Sequence, residues 1–373
     1  MRYPKILATV AAILYLTQAA LAQAHWVGTW GAASSPQLTL AEMESQKLVF
    51  HNQTLREIVH ISLGGDTVRV RLSNSFGTEP VEIGAAHLAV SASGSSVTPG
   101  SDRVLMFGGR PRIVVPAGAV VVSDPVQLKV APAASLAISL YLPKDATGAG
   151  VHYAAQQTNY IAPGDEAGAA SLATPVTIAS WVFLSGVDVL APATAGSIIA
   201  FGDSITDGAR STIDSNHRWP DTLAARLLAR KSGPEVAVVN MGIGGNRILH
   251  EGAASKRPQF GVNALARFDQ DVLAQPGVRY LLILEGINDI GHAGSSAPAS
   301  EAVTADDIIA GLGQMIERAH EKGIKVIGAT ITPFEGEANI KRRYWTPEKA
   351  RVREMVNAWI RSGKAFDGFV DFD

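Results

Sequence analysis

The periodicity of the chain changes near residue 190, and that change limits the fold more than any other feature. Before it, short runs alternate apolar and polar residues and are punctuated by Gly, Pro, Ser and Asp: 54–63, 67–72, 81–90, 112–115, 120–122, 126–130 and 136–142. Such spacing predicts an all-β sandwich or jelly roll. Gly64-Gly65-Asp66 reads as a hairpin turn joining 54–63 to 67–72. After residue 190, nearly continuous apolar runs at 197–201, 236–241, 279–285, 324–331 and 369–372 are separated by amphipathic stretches at 219–231, 304–322 and from Thr346-Pro347 onward. Apolar strands alternating with amphipathic helices predict a parallel sheet covered on both faces. The segment 187–195, with Pro192, reads as the linker. The predicted organisation is a targeting segment 1–24, a β-domain 25–190 and an α/β domain 191–373.

The N-terminus has Arg2 and Lys5, then a short apolar run 6–16, then small-x-small sites ending at Ala22 and Ala24. This is the pattern of a cleaved secretory signal. The run is short of the roughly 20 residues a membrane span needs. A secreted or periplasmic protein, without stable membrane insertion after cleavage, is expected. Hydrophobic residues are 47% and charged ones 18% of the chain, which excludes a disordered protein. Lys+Arg at 32 against Asp+Glu at 34 leaves no basic excess for nucleic acid. The absence of cysteine excludes disulfides, thiolate metal sites and a cysteine nucleophile. No metal or cofactor is expected.

In a parallel α/β sheet, sites form beyond the carboxyl ends of the strands. Three loops occupy such positions. Gly202-Asp203-Ser204-Ile205 follows the first strand, Asn240-Met241-Gly242-Ile243-Gly244-Gly245 the second, and Gly286-Ile287-Asn288-Asp289 the third. A serine opening a helix there exposes its hydroxyl, and its own N–H faces the place where an oxyanion forms. Gly245 lets a second N–H approach closely, and Asn288 adds a side-chain NH2. One nucleophile with donors from three loops is the layout of a serine esterase. Each motif alone is commonplace: Gly-Asp-Ser and Asn-Asp are usually turns. Their order and strand context carry the reading. Asp203, Asp207, Asn240 and Asp289 read as supporting residues that tie the loops together.

With these blocks the chain resembles the SGNH, or GDSL-type, hydrolases, over about residues 197–373. More loosely, it is similar to members with an N-terminal β-domain opening on a motif like Trp26-Val-Gly-Thr-Trp30. The resemblance implies a flavodoxin-like three-layer α/β/α domain and metal-free hydrolysis of esters or thioesters of lipids, sugars or small acyl compounds. It also implies Ser204 as nucleophile, with the Ser204 and Gly245 N–H groups and the Asn288 amide as oxyanion hole.

One departure follows. The family's base lies in an Asp-x-x-His block after the fifth strand, and here that region ends at Asp371-Phe372-Asp373. The chain is therefore expected to be C-terminally incomplete or a pseudoenzyme. His292 and His250 are the substitute bases to consider, against the reading of both as exposed loop histidines. His25, His51, His60, His87 and His152 read as structural or solvated, and His217 as surface. Phe334, Tyr344 and Trp345 read either as an acyl- or sugar-binding wall or as a packed loop. The competing reading is a non-catalytic carbohydrate-binding protein with a degenerate hydrolase domain. The partner expected of the enzyme is a small-molecule or polysaccharide ester.

Overall fold

The structure is a computed structural model and describes residues 24–252, 256–336 and 343–373. The targeting segment expected at 1–24 lies outside these residues except for Ala24. Among the described residues no helix is long and apolar enough to cross a membrane.

Two large antiparallel sheets precede residue 192 among the described residues, beside two of only two strands each. One orders His25–Gly31, Leu184–Ala191, Gly65–Ser73 and Val126–Val130, with Val120–Val122 also paired to Gly65–Ser73. The other orders Val176–Ile178, Asn159–Pro163, Gln53–His60, Ser135–Leu142, Ala85–Val90 and Arg103–Val104. Alternate residues of both sheets meet in one core, Val68, Val70 and Leu72 from the first and Leu55, Val59, Leu136, Ile138 and Leu140 from the second. This is the sandwich that period-two alternation dictates when one face of each sheet is apolar.

Two expectations fail here. The runs on either side of Gly64-Gly65 do not form a hairpin. Gln53–His60 pairs with Ser135–Leu142 and Asn159–Pro163, while Gly65–Ser73 belongs to the opposite sheet. Gly64 passes so close to the Val130 carbonyl that a side chain there would clash, so the segment is a corner between sheets. The expected linker 187–195 is also mostly strand: Leu184–Ala191 pairs with both His25–Gly31 and Gly65–Ser73. Its Val187 and Val189 are buried, and Asp188 is buried against Arg69 at 2.9 Å and Arg71 at 3.3 Å. Pro192 marks only the end of this strand, so the connection is confined to the few residues after Ala191.

Beyond it, five parallel strands order as Val236–Gly242, Gly196–Gly202, Val278–Leu284, Lys325–Ala329 and Gly368–Val370. In chain order this is 2-1-3-4-5, the flavodoxin-like arrangement. Ile199 and Phe201 face a core shared with Ile308, Leu312, Met315 and Ala319 of the helix Ala305–His320. On the other face, Ala200 packs with Ala224, Leu223 and Leu227 of the helix Trp219–Leu228. Alternate strand residues thus point to opposite helical layers, which is why the strand reads as continuously apolar. The helix Ala305–His320 starts where Thr304 and Asp307 close a capping box.

The sandwich rests directly on the parallel sheet. Gly28 donates its N–H to Pro276 O at 3.0 Å, and Val238 donates to Ser62 Oγ at 3.0 Å. Gly31 leaves no room for a side chain against Val239 and Met241, both buried.

Candidate active site

The order 2-1-3-4-5 reverses direction between the first and third strands, and at such a switch point the loops part to leave a crevice. Gly202 ends the first strand there. Asp203 caps the one-turn helix Ser204–Asp207, its Oδ1 accepting from Ile205 N at 2.9 Å, and Gly208 ends the turn at φ 90°. Ser204 is half-buried, and no described residue accepts a hydrogen bond from its hydroxyl. It lines a cleft of about 650 Å³ together with Gly245, Asn288, Phe260, Phe334 and Tyr344. The sandwich contributes Ser35, His152 and Tyr153 to the same cleft.

The structure therefore brings Ser204, Gly245 and Asn288 to one cavity. Gly245 has φ 80°, a backbone region that favours glycine, and a side chain on it would run into the Phe260 ring. Asn288 is buried on the helix Ile287–His292. Its Nδ2 donates to Asn246 O at 3.0 Å, which leaves the second amide hydrogen for a ligand. Its Oδ1 accepts from Tyr344 Oη at 2.8 Å and from His292 Nε2 at 3.0 Å. Because the Asn246 backbone carbonyl only accepts, the end of the amide that faces it is the NH2, and the Tyr344 hydroxyl and His292 ring donate to the other end.

Three of the four supporting residues bridge loops, while Asp203 caps the helix of its own loop. Asn240 Nδ2 donates to Thr206 O at 2.8 Å while its Oδ1 accepts from Gly242 N at 2.9 Å. Asp207 Oδ2 accepts from Gly244 N at 3.0 Å. Asp289 accepts from Ile248 N and Leu249 N at 2.8 and 3.0 Å. Burial raises the Asp289 carboxyl to about 6 against the pull of those two N–H groups. Asp203 is fully buried, and burial raises it to about 7, with Ile205 N opposing. Glu285, buried behind it at the end of the third strand, is pushed up by burial and then by Asp203, and Arg267 opposes.

Arg267 escaped the sequence reading. Its Nη1 donates to Met241 O at 2.8 Å and its Nη2 to Gly202 O at 3.0 Å, so one buried guanidinium ties the ends of the first two strands. It also pairs with Asp271 at 2.9 Å and stacks on Phe201, its charge 4.0 Å from the ring centre. It sits on the short helix Ala264–Phe268, far from any motif, and nothing in the pattern marks it.

His292 is buried, not the exposed loop histidine expected, because its ring is held on both sides. Asp289 and His292 have Asp-x-x-His spacing, but Asp289 spends both oxygens on backbone N–H groups. His292 donates to Asn288 and accepts at Nδ1 from Ser296 Oγ at 2.6 Å. That donation leaves the imidazole no nitrogen for Ser204. His250 does not line the cleft. His152 does, buried between Ala33 O and Asp207. Of the aromatic residues after the fourth strand, Phe334 and Tyr344 line the cleft and Trp345 does not. Trp30 is a core residue, edge-on to Trp181 at 5.0 Å.

Among solved structures the chain is similar to AlinE4, a SGNH-hydrolase family esterase, with 17% identity over 48% of this chain and 77% of that one and a TM-score of 0.35. It is also similar to a variant of Axe2, an acetyl xylan esterase from Geobacillus stearothermophilus, with 21% identity over 47% and 76% of the two chains and a TM-score of 0.36. A search of curated proteins found no match. The model of the GDSL-like Lipase/Acylhydrolase family matches residues 200–373, and this part of the chain is a domain of that family.

Proposed function

We propose that this protein is an exported serine carboxylic-ester hydrolase. Its substrate is an acylated carbohydrate, a lysolipid or a small ester. Ser204 Oγ attacks the ester carbonyl and gives up its proton to solvent base, the ester C–O bond breaks and the alcohol leaves protonated; water then attacks the acyl-enzyme, releasing the acid and restoring the Ser204 hydroxyl. The Ser204 and Gly245 N–H groups and the second hydrogen of the Asn288 amide receive the oxyanion. The observation that carries this reading is the half-buried Ser204, on the first turn of a helix at the sheet's switch point, sharing one cleft with Gly245 and Asn288. The match of residues 200–373 to the GDSL-like Lipase/Acylhydrolase family agrees with it. The role of 1–24 as an export signal belongs to the same proposal.

The test is covalent. A fluorophosphonate probe should label the wild-type chain at Ser204, and Ser204→Ala should abolish labelling while leaving the thermal transition in place. Equal labelling of both proteins, or none of either, defeats the reading and leaves the non-catalytic carbohydrate-binding alternative.

A further inference from the structure

His152 lies in the sandwich part of the chain, 52 residues before Ser204, yet it reaches the cleft. Its Nδ1 is 2.9 Å from Ala33 O and its Nε2 is 3.0 Å from Asp207 Oδ1. A backbone carbonyl and a carboxylate both accept, so only an imidazolium, with a hydrogen on each nitrogen, satisfies the two at once. Burial pushes the imidazole down, but the charge and hydrogen bond of Asp207 and the Ala33 carbonyl outweigh it, and the group sits above its ordinary value. Arg218 opposes protonation, Asp271 is a further negative charge nearby, and the Trp181 ring packs on His152 at 5.5 Å.

The other oxygen of Asp207 accepts from Gly244 N, the residue before Gly245. A continuous line therefore runs from the sandwich backbone at Ala33 through His152 and Asp207 to the glycine loop. We propose that His152 is a positioning residue of the esterase site: a donor supplied by the sandwich that clamps Asp207 and, through it, the Gly244-Gly245 segment. This inference rests on the ester-hydrolase reading above. It gives the sandwich a part in the chemistry beyond covering the sheet. The Asp207 carboxylate sits on the nucleophile's own helix, so without His152 it would be free to turn from Gly244, and the Gly245 N–H would lose its fixed direction.

Two substitutions separate positioning from mere packing. His152→Gln places an amide NH2 near the Nε2 position and keeps a donor to Asp207. His152→Asn places one near Nδ1, toward Ala33, and removes the donor to Asp207. Both remove one of the two hydrogen bonds in the same buried place. The rate of fluorophosphonate labelling at Ser204 should fall about 10–100-fold in His152→Asn, the scale of a small misplacement of catalytic groups. His152→Gln should recover most of it. Amide exchange of the 242–246 segment should rise in His152→Asn and much less in His152→Gln.

The exchange measurement stands apart from any chemistry at Ser204. Unchanged exchange in His152→Asn overturns the inference even if Ser204 labels normally. Equal loss in the two variants, tracking their thermal stability, overturns it too, because a purely structural role does not distinguish them. Wild-type protein that fails to label at Ser204 defeats the ester-hydrolase reading and with it the catalytic part of the inference, while the exchange data still decide the clamp.

Discussion

Tyr344 Oη donates to Asn288 Oδ1 at 2.8 Å, from a loop 56 residues further along the chain. The bond fixes the amide so that its NH2 faces away from the tyrosine. Tyr344→Phe leaves His292 as the remaining side-chain donor to that oxygen. Losing one hydrogen bond of about 0.5–1.5 kcal/mol predicts a fall of roughly 2–10-fold in kcat on p-nitrophenyl acetate, with KM little changed. A variant with wild-type kcat would mean that the amide needs no such support.

Asn288→Ala removes the donor itself. A fall in kcat of about 10²–10³ is expected, the usual cost of one oxyanion donor. The ratio of the two effects is informative: Tyr344→Phe must cost less than Asn288→Ala if the tyrosine acts only through the amide. The reverse order would place Tyr344 in contact with substrate.

Gly245→Ala adds a methyl group at φ 80° and against the Phe260 ring. The strained backbone costs about 1–3 kcal/mol. A lower melting temperature together with slower Ser204 labelling is expected. Loss of stability without loss of labelling would remove the Gly245 N–H from the site.

Asp203 gives the fold a pH dependence of definite sign. Its carboxyl titrates at about 7 in the folded chain against an ordinary 3.8. Between those values the native state holds a proton that the unfolded chain has given up. The stability linked to this group is thus present below about pH 4 and is lost as pH rises through 7, by up to about 4 kcal/mol. Asp289, at about 6, adds in the same direction. Melting curves at pH 5 and pH 8 should show the wild type losing stability, with a smaller loss in Asp203→Asn. An equal loss in both proteins would mean that Asp203 does not carry the effect.

With both cleft histidines engaged at both nitrogens, added base should matter. Imidazole at millimolar concentrations is expected to accelerate fluorophosphonate labelling of Ser204, because it can take the proton that neither His152 nor His292 is placed to accept. The control is Ser204→Ala, which must show no labelling at any imidazole concentration. Insensitivity to imidazole in the wild type would point to a base already in contact with the serine.

Local chemistry carried much of this into the sequence. Thr304 and Asp307 announce a helix start because a capping box needs only four residues, and Val278–Leu284 is legible because a strand covered on both faces is apolar throughout. Ser204, Gly245 and Asn288 are legible for the same reason, since each follows a strand and the topology does the rest. Asp207, Asn240 and Asp289 lie in the same blocks and are legible with them, and Tyr344 is legible as a possible wall of the cleft though not as a partner of Asn288. His152 and Arg267 are not: they reach the site by long-range folding, and each sits in a stretch whose local pattern is ordinary. The turn at Gly64 was misread because two strands adjacent in sequence look alike whether they pair or part into opposite sheets.

The seam at Gly28 and Gly31 bears on how such a protein can be recombined. The strand His25–Gly31 lies against Val236–Gly242, and Ser62 accepts the Val238 N–H on that edge strand of the parallel sheet. Grafting 196–373 onto a different carrier would uncover Val239 and Met241 and leave the Val238 N–H without its acceptor. The two halves are therefore not interchangeable cassettes, and a substitution at Gly31 has to be answered at Met241 for both to persist.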